Sequence, residues 1–319
     1  MAELITLGEP LAVFASKDLN DSLVDAENFN KTMGGAELNV MIGASRLGHS
    51  TEYITQLGSD PFGEYIKKTI DLHDVGCNYI KLDSKYTTGF YLKEFVNQGD
   101  PKTYYFRKGS AAANIKLKQI DEVDFKNVKW AHLSGIFPAI SKEAQETFEY
   151  FIEKLTAEGI HTTFDPNLRP ALWESEKIMR KTINNFAKAG EVVLPGVSEG
   201  LILTGSDDPE KIADFYLDQS QITQTVIVKL GEKGAFVKTK SGDKFKIPGF
   251  KVENIIDTVG AGDGFAVGIL TAFLEKKTLK EAVTRACAIG ALAVTSTGDN
   301  AGYPTRMELE NFYKEKGII

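Results

Sequence analysis

Cysteine is scarce: the chain holds only Cys77 and Cys287, far apart and in no CxxC spacing. That argues against a disulfide framework or a cysteine-based zinc site, and fits a reducing compartment. There is no basic excess, since 37 Lys and Arg face 44 Asp and Glu for a formal net charge of −7. Nucleic-acid and membrane-surface roles both need a basic face and are not expected, although a local basic pocket for phosphates is compatible with this balance. Long hydrophobic runs are absent too. The longest, Gly264 to Leu274, falls short of the roughly 20 residues that span a bilayer. The opening MAELITLGEP has an acid at Glu3 and breakers at Gly8 and Pro10. It lacks the basic start and apolar centre of a secretory leader, so a cytoplasmic location is expected. No repeat, low-complexity tract or long linker is visible.

What is present is ordinary globular material. Of the 319 residues, 42% are hydrophobic and 25% charged, enough for a large core. Short β-rich apolar runs, at Leu4–Leu7, Val128–Leu133, Ile160–Phe164, Val192–Leu194 and Thr225–Leu230, alternate with amphipathic stretches. Those stretches are Ala36–Leu47, Phe62–Leu72, Ser141–Ala157 and Lys211–Leu217. Strands alternating with helices imply βαβ units and an α/β fold whose parallel sheet is covered on both faces. Two regions break the pattern. Residues 9–31 contain LAVFAS with little helical signal, and residues 86–108 contain TTGFYLKEFV and KTYYFRK joined by the turn-forming NQGDP. Both read as antiparallel additions to the main sheet that together form a small β lid, or else as plain surface hairpins. Ala261–Leu274 and Lys280–Val294 read as buried helices near the end of the chain.

The segment with most chemistry in it is Asp257-Thr258-Val259-Gly260-Ala261-Gly262-Asp263-Gly264-Phe265. It follows a strand-like run, Val252 to Ile256, and opens an apolar helix. Small residues let an anion approach the backbone, and a helix start offers free N–H groups and the positive end of the dipole. Gly260, Ala261 and Gly262 therefore outline an anion hole. Asp263 stands where a carboxylate can take the proton of a hydroxyl lying against it. Taken alone, the same segment also reads as a Gly-rich helix cap with Asp263 as an N-capping residue. A second Gly-led helix start, Gly34-Gly35-Ala36-Glu37-Leu38-Asn39-Val40, places Asn39 one turn inside a helix. Asn is poor there unless its amide has a partner, either a sugar hydroxyl or a neighbouring loop carbonyl. Gly58-Ser59-Asp60-Pro61-Phe62-Gly63 is a turn feeding another helix, with Pro61 suited to its first position.

GGAELNVMIGASRLG (34–48), GSDPFGE (58–64) and DTVGAGDGF (257–265), in this order, resemble the signatures of the ribokinase-like (PfkB) family of carbohydrate kinases. No GxxxxGK followed by Ser or Thr is present, so this is not a P-loop kinase. The resemblance implies one kinase domain over 1–319, with a Rossmann-type central sheet and a β-sheet lid from about 9–31 and 86–108. It implies Asp263 as catalytic base, ATP with Mg²⁺ as the phosphoryl donor, and a monovalent cation such as K⁺ held by backbone carbonyls. Lys229-Leu230-Gly231-Glu232-Lys233-Gly234 is similar to the family's nucleotide-side loop, so Lys229, Gly231 and Gly234, with Gly260 and Gly262, are expected beside ATP. The run can also be a simple hairpin turn. The family's Asn-x-x-Glu, which meets magnesium through water, corresponds to Gly196-Val197-Ser198-Glu199, with Gly replacing the Asn. Glu199 is then the indirect metal contact, or simply a first-turn acid favoured by the dipole.

Within the family, Gly8-Glu9-Pro10-Leu11, Glu37 (where fructokinases more often show Pro), Thr103–Ala111 and Asp165-Pro166-Asn167-Leu168-Arg169 resemble the branch acting on 2-keto-3-deoxygluconate. That similarity implies a sugar site lined by Gly34, Gly35, Asn39, Tyr91, Tyr105, Arg107 and Arg169, with Asp299 either reaching the substrate or lying in a surface turn. A sugar acid carries a carboxylate, and Arg is the best fixed cation for it. For Arg107 an exposed edge-strand charge, and for Arg169 a structural ion pair, are the plainer readings. The expected reaction is phosphorylation of the sugar acid's 6-hydroxyl. Fructokinase is the alternative, and a non-catalytic sugar-sensing protein on the same fold is another. An exposed aromatic lid sheet suits a homo-oligomer contact.

Overall fold

The computed structural model describes residues 2–97 and 101–318. Nine strands form the main sheet: β1 Leu4–Leu7, β4 Thr51–Gly58, β5 Ile80–Asp83, β8 Trp130–Ser134, β9 His161–Asp165, β10 Val192–Val193, β11 Thr225–Lys229, β12 Ala235–Thr239 and β13 Lys244–Ile247. Their order is β13-β12-β11-β10-β9-β8-β1-β4-β5. Pairing is parallel from β11 through β5, and only β12 and β13 turn back as antiparallel hairpins. Helices α1 Ala36–Arg46, α2 Pro61–Leu72, α3 Lys118–Asp121, α4 Lys142–Ala157, α5 Glu176–Ala187, α6 Val197–Thr204, α7 Pro209–Gln219, α8 Ala261–Leu274, α9 Leu279–Ala293 and α10 Arg306–Glu315 cover it.

The strands are apolar throughout because both faces are buried, and alternate residues feed two different cores. Leu4, Tyr53 and Ile227 point into one, with α1, α2, α8 and α9. Ile5, Ile54, Val226 and Val228 point into the other, with α4, α5 and α7. The expected helices form, and their starts follow the local chemistry. Asp60 caps α2 by accepting from the Phe62 and Gly63 N–H groups, with Pro61 first in the helix. Ser141 caps α4 by accepting from Ala144 N–H.

Two expectations need correction. The irregular regions do not extend the main sheet. They build a separate one of β2 Leu11–Leu19, β3 Phe29–Gly34, β6 Phe90–Phe95 and β7 Thr103–Phe106, ordered β3-β2-β6-β7. Its central pair, β2 and β6, is parallel, because the chain crosses the main sheet before returning; only the flanking pairs are antiparallel. Most of the turn expected between β6 and β7, residues 98–100, lies outside the described residues. The second correction is at Val252–Ile256, which forms no strand. Ile255 and Ile256 stay 62% and 57% exposed, and the segment is tied down by Ile256 N–H donating to Val294 C=O at 2.8 Å. With neither face buried, β-propensity has nothing to act on.

Candidate active site

The two Gly-led helices meet. At the start of α8, Gly260 has φ 80°, and a Cβ there would lie 1.8 Å from the Asp299 carbonyl oxygen, so no larger residue fits. Gly262, one residue into the helix, is open: an added Cβ would meet only Lys229 Nζ, at 3.7 Å. The first amides of a helix have no carbonyl one turn back, so this end presents N–H groups and positive dipole. Asp263 occupies the first turn of α8. Asn39 Nδ2, from α1, donates to Asp263 Oδ2 at 2.9 Å, and Asn167 Nδ2 donates to Oδ1 at 3.3 Å. Asn39 Oδ1 in turn accepts from Asn300 Nδ2 at 2.9 Å. The Asn39 amide is thus partnered by side chains, not by a loop carbonyl. Burial pushes the Asp263 carboxyl up to about 7; the Asn39 bond and Arg169 pull the other way, while Asp165 and Asp299 reinforce the rise.

Around Asp263 lies a pocket of about 350 Å³. Its walls include Gly35, Asn39, Tyr91, Tyr105, Arg107, Arg169, Gly260, Gly262 and Asp299 among the residues singled out from sequence. Gly34 sits directly behind this wall, where a Cβ would fall 2.7 Å from Asp299 Oδ2. Tyr91 and Tyr105 face each other across β6 and β7 with ring centroids 5.0 Å apart. Asp299 is half-buried, not a surface turn residue; burial lifts its carboxyl to about 6 against the pull of Lys93.

The two arginines differ. Arg107 is not an exposed edge charge: its guanidinium pairs with the buried Glu9 carboxylate, Nε donating to Oε2 at 2.7 Å. Arg169 is exposed, and instead of a structural ion pair its Nη1 donates to Asn167 Oδ1 and to the Leu168 carbonyl, both at 2.9 Å.

The remaining expected residues lie outside the pocket lining. Lys229 Nζ donates to Asp165 Oδ2 at 2.6 Å. Burial pulls its pKa down, but Asp165 and Glu199 outweigh that and the net shift is upward. Gly231 and Gly234 form the turn between β11 and β12, the hairpin that sequence allowed. Ala261 opens α8 with its N–H on the Thr258 carbonyl at 3.4 Å. Glu199 accepts from its own helix start, Gly196 N–H at 2.7 Å, and from Leu168 N–H at 2.9 Å; burial raises its pKa. Among the described residues, no three His, Cys, Asp or Glu side chains converge to hold a metal ion. The one carboxylate expected near an ion, Glu199, fits a metal whose other ligands are phosphate oxygens and water.

Sequence reasoning did not place Asn167, Glu9 or Glu37 on the pocket wall. Asn167 had a signal: it follows Pro166 at the end of β9 and takes a left-handed φ of 41°, the conformation Asn tolerates best after Gly.

Known proteins resemble this chain in sequence and in fold over nearly its whole length. A family model described as pfkB family carbohydrate kinase matches residues 1–306. A 2-dehydro-3-deoxygluconokinase from Bacillus subtilis is 37% identical over 99% of this chain and 97% of its own. Another, from Thermoproteus tenax, is 31% identical over 98% of this chain and 95% of its own. The crystal structure of a PfkB protein from Polaromonas sp. JS666 superposes with a TM-score of 0.88 at 38% identity, covering 97% of this chain and 99% of that one. A fructokinase from Vibrio cholerae, in a form with fructose, ADP and calcium bound, gives 0.84 at 26% identity, covering 97% and 99%.

Proposed function

The chain belongs to the pfkB family of carbohydrate kinases, and we propose that it transfers the γ-phosphate of ATP to the 6-hydroxyl of 2-keto-3-deoxygluconate, giving 2-keto-3-deoxy-6-phosphogluconate. In this reading residues 1–319 act as one domain, with the small sheet as a lid. The sugar fills the pocket beneath that lid, against Gly34, Gly35, Asn39, Tyr91, Tyr105, Arg107, Arg169 and Asp299. Asn39 and Asn167 hold the Asp263 carboxylate in place while it accepts the hydroxyl proton. The sugar oxygen then bonds to the γ-phosphorus, the bridge to the β-phosphate breaks, and ADP leaves with the electron pair. The start of α8, at Gly260, Ala261 and Gly262, faces the charge moving through that step. The nucleotide lies toward Lys229, Gly231 and Gly234. Glu199 would meet, through water, a magnesium ion carried by ATP, which would supply charge neutralisation of the phosphates, and a monovalent cation such as K⁺ belongs to the same reading. We place the reaction in the cytoplasm, where the free thiols of Cys77 and Cys287 persist. The face of the lid opposite the pocket-lining Tyr91 and Tyr105, where Tyr104 and Phe106 are exposed, is assigned to contact with a second copy; sedimentation as a monomer would remove that part.

The observation that carries the choice of a sugar acid is Arg169. Arg169 lines the pocket, its guanidinium hydrogen-bonds only neutral groups of Asn167 and Leu168, and although Asp263 and Asp299 feel its charge, no acid stands at ion-pair distance from it among the described residues. An incoming carboxylate supplies the missing partner. A neutral hexose such as fructose is the second reading, favoured by Arg107 being already neutralised by Glu9. The deciding experiment compares kcat/KM for 2-keto-3-deoxygluconate and for fructose with purified protein, ATP and Mg²⁺. If fructose wins by about tenfold, a difference of about 1.4 kcal/mol, the acid reading falls while the Asp263 mechanism stands.

A further inference from the structure

Glu37 sits in the first turn of α1, on the pocket wall, only 1% exposed. Its Oε1 is a buried oxygen with no hydrogen-bond partner among the described residues. A buried carboxyl oxygen left unsatisfied is costly, and native chains retain such groups where a ligand or water completes them. Its surroundings are crowded with charge. Glu9, on the link between β1 and β2, and Arg107, just after β7, form an ion pair beside it. Ser134 at the end of β8 and Tyr53 of β4 also face it, and the Tyr53 hydroxyl is buried without a partner as well. Along α1 the next polar residue, Asn39, is committed to Asp263 and Asn300.

We propose that Glu37 is a specificity-determining residue, its carboxyl hydrogen-bonding an oxygen of the bound sugar acid. The inference rests on the sugar-acid reading above. Glu9 and Arg107 cancel each other, so an ionised Glu37 would leave an unbalanced buried negative charge where an anionic substrate must enter. A neutral carboxyl has no such conflict, and it has an O–H to donate. Burial already lifts Glu37 to about 7, with Arg107 and Ser134 opposing and Glu9 adding to the rise. A sugar carboxylate nearby raises it further and keeps the proton in place. Donation from Glu37 to a carboxylate oxygen is charge-assisted, and so favours an anionic sugar over one that presents only a hydroxyl there.

The test uses the whole protein and whichever sugar the wild type turns over best, so an error in substrate class is exposed by the wild-type panel alone. Sugar affinity is measured by calorimetry without ATP from about pH 6 to 9. Wild-type affinity should fall with pH, approaching about tenfold per unit once the Glu37 proton is lost. Glu37→Gln, which keeps a donor but cannot ionise, should bind within about threefold of wild type at pH 6 and then lose affinity less steeply than wild type, keeping only the share due to Asp263 and Asp299 in the same pocket. Glu37→Ala should raise KM for the sugar about tenfold or more and leave KM for ATP unchanged. Three results would each overturn the proposal: a flat wild-type profile, a pH dependence as steep in Glu37→Gln as in wild type, or an Ala variant with normal sugar KM and only a lower melting temperature. If the Ala variant does not fold, the wild-type and Gln profiles decide.

Discussion

Replacing Asp263 by Asn keeps the shape of the first turn of α8 and removes the base. The Asn39 and Asn167 amides that hold the carboxylate come from other segments, at 2.9 and 3.3 Å, so the backbone around position 263 should survive with one of these two bonds lost, because the new NH2 cannot accept. General-base catalysis is typically worth about 10²–10⁴-fold, or roughly 3–5 kcal/mol of barrier. The variant should lose kcat by that factor and still bind ATP and sugar. A coupled ADP-release assay gives the first quantity and calorimetry the second. Two pH signatures accompany it. Burial lifts the folded carboxyl to about 7, so wild-type kcat/KM should fall about tenfold per unit below that value. For stability the sign is the reverse of an ordinary surface acid. The unfolded carboxyl has a pKa of about 3.9. Across the window between the two values the folded chain keeps a proton that the unfolded chain has lost, so stability drops as pH rises toward about 7. The amide of the Asp263→Asn variant cannot ionise and escapes this. The melting temperature of that variant relative to wild type should therefore climb as pH rises from about 5 to 8. A variant retaining more than about half of wild-type kcat, or a wild-type kcat/KM flat across the neutral range, refutes the assignment.

The other perturbations separate binding from folding. Gly262→Val adds bulk where only Lys229 Nζ, 3.7 Å away, would touch it. It should melt within a few degrees of wild type yet lose about tenfold or more in kcat, because the side chain covers the amides a phosphoryl group must approach. A collapsed melting temperature with normal activity per folded molecule would make this glycine structural. Arg169→Ala should raise KM for the sugar acid roughly 10- to 150-fold with little change in melting or in KM for ATP, and Arg169→Lys should recover only part; an unchanged sugar KM refutes it. Arg107→Ala should behave differently. It strands the Glu9 carboxylate, 3% exposed, and should cost about 3–5 kcal/mol of stability, read by denaturant titration.

Local chemistry was legible and distant pairing was not. Buried strands such as Thr225–Lys229 and capped helices such as Pro61–Leu72 declare themselves through apolar runs, Asp60 and Pro61. The loop around Gly260 to Asp263 could be read as an anion site because its glycines and its helix start are contiguous. By contrast, the partner of Asp263 on α1 is 224 residues away in sequence, and Glu9 meets Arg107 across 98. No periodicity encodes such pairs; packing decides them. The same holds for the parallel β2–β6 pair, whose register comes from a crossover, not from a turn. Val252–Ile256 failed as a strand for the complementary reason: its β-branched residues reach no core.

Carboxyl groups crowd this pocket. Asp263, Asp299, Glu37 and Glu9 line it, against Arg107 and Arg169, and Asp165 and Glu199 stand behind with Lys229. Three of them, Asp263, Glu37 and Asp299, are pushed to about 7, 7 and 6. A chain selected for stability alone gains nothing from that, since every unit of upward shift is about 1.4 kcal/mol against the ionised form. The crowding makes sense for a site that brings a phosphate-bearing nucleotide up to an anionic sugar. Acids poised near neutrality can hold protons while the anions enter, so the pocket's charge adapts to its load. In the proposed transfer the hydroxyl proton passes to Asp263 as negative charge leaves with ADP, and a carboxyl that burial makes hard to ionise becomes neutral. On that reading the unfavourable charge on Asp263 is relieved in the step it serves, with Asn39 of α1 holding the carboxylate at the start of α8.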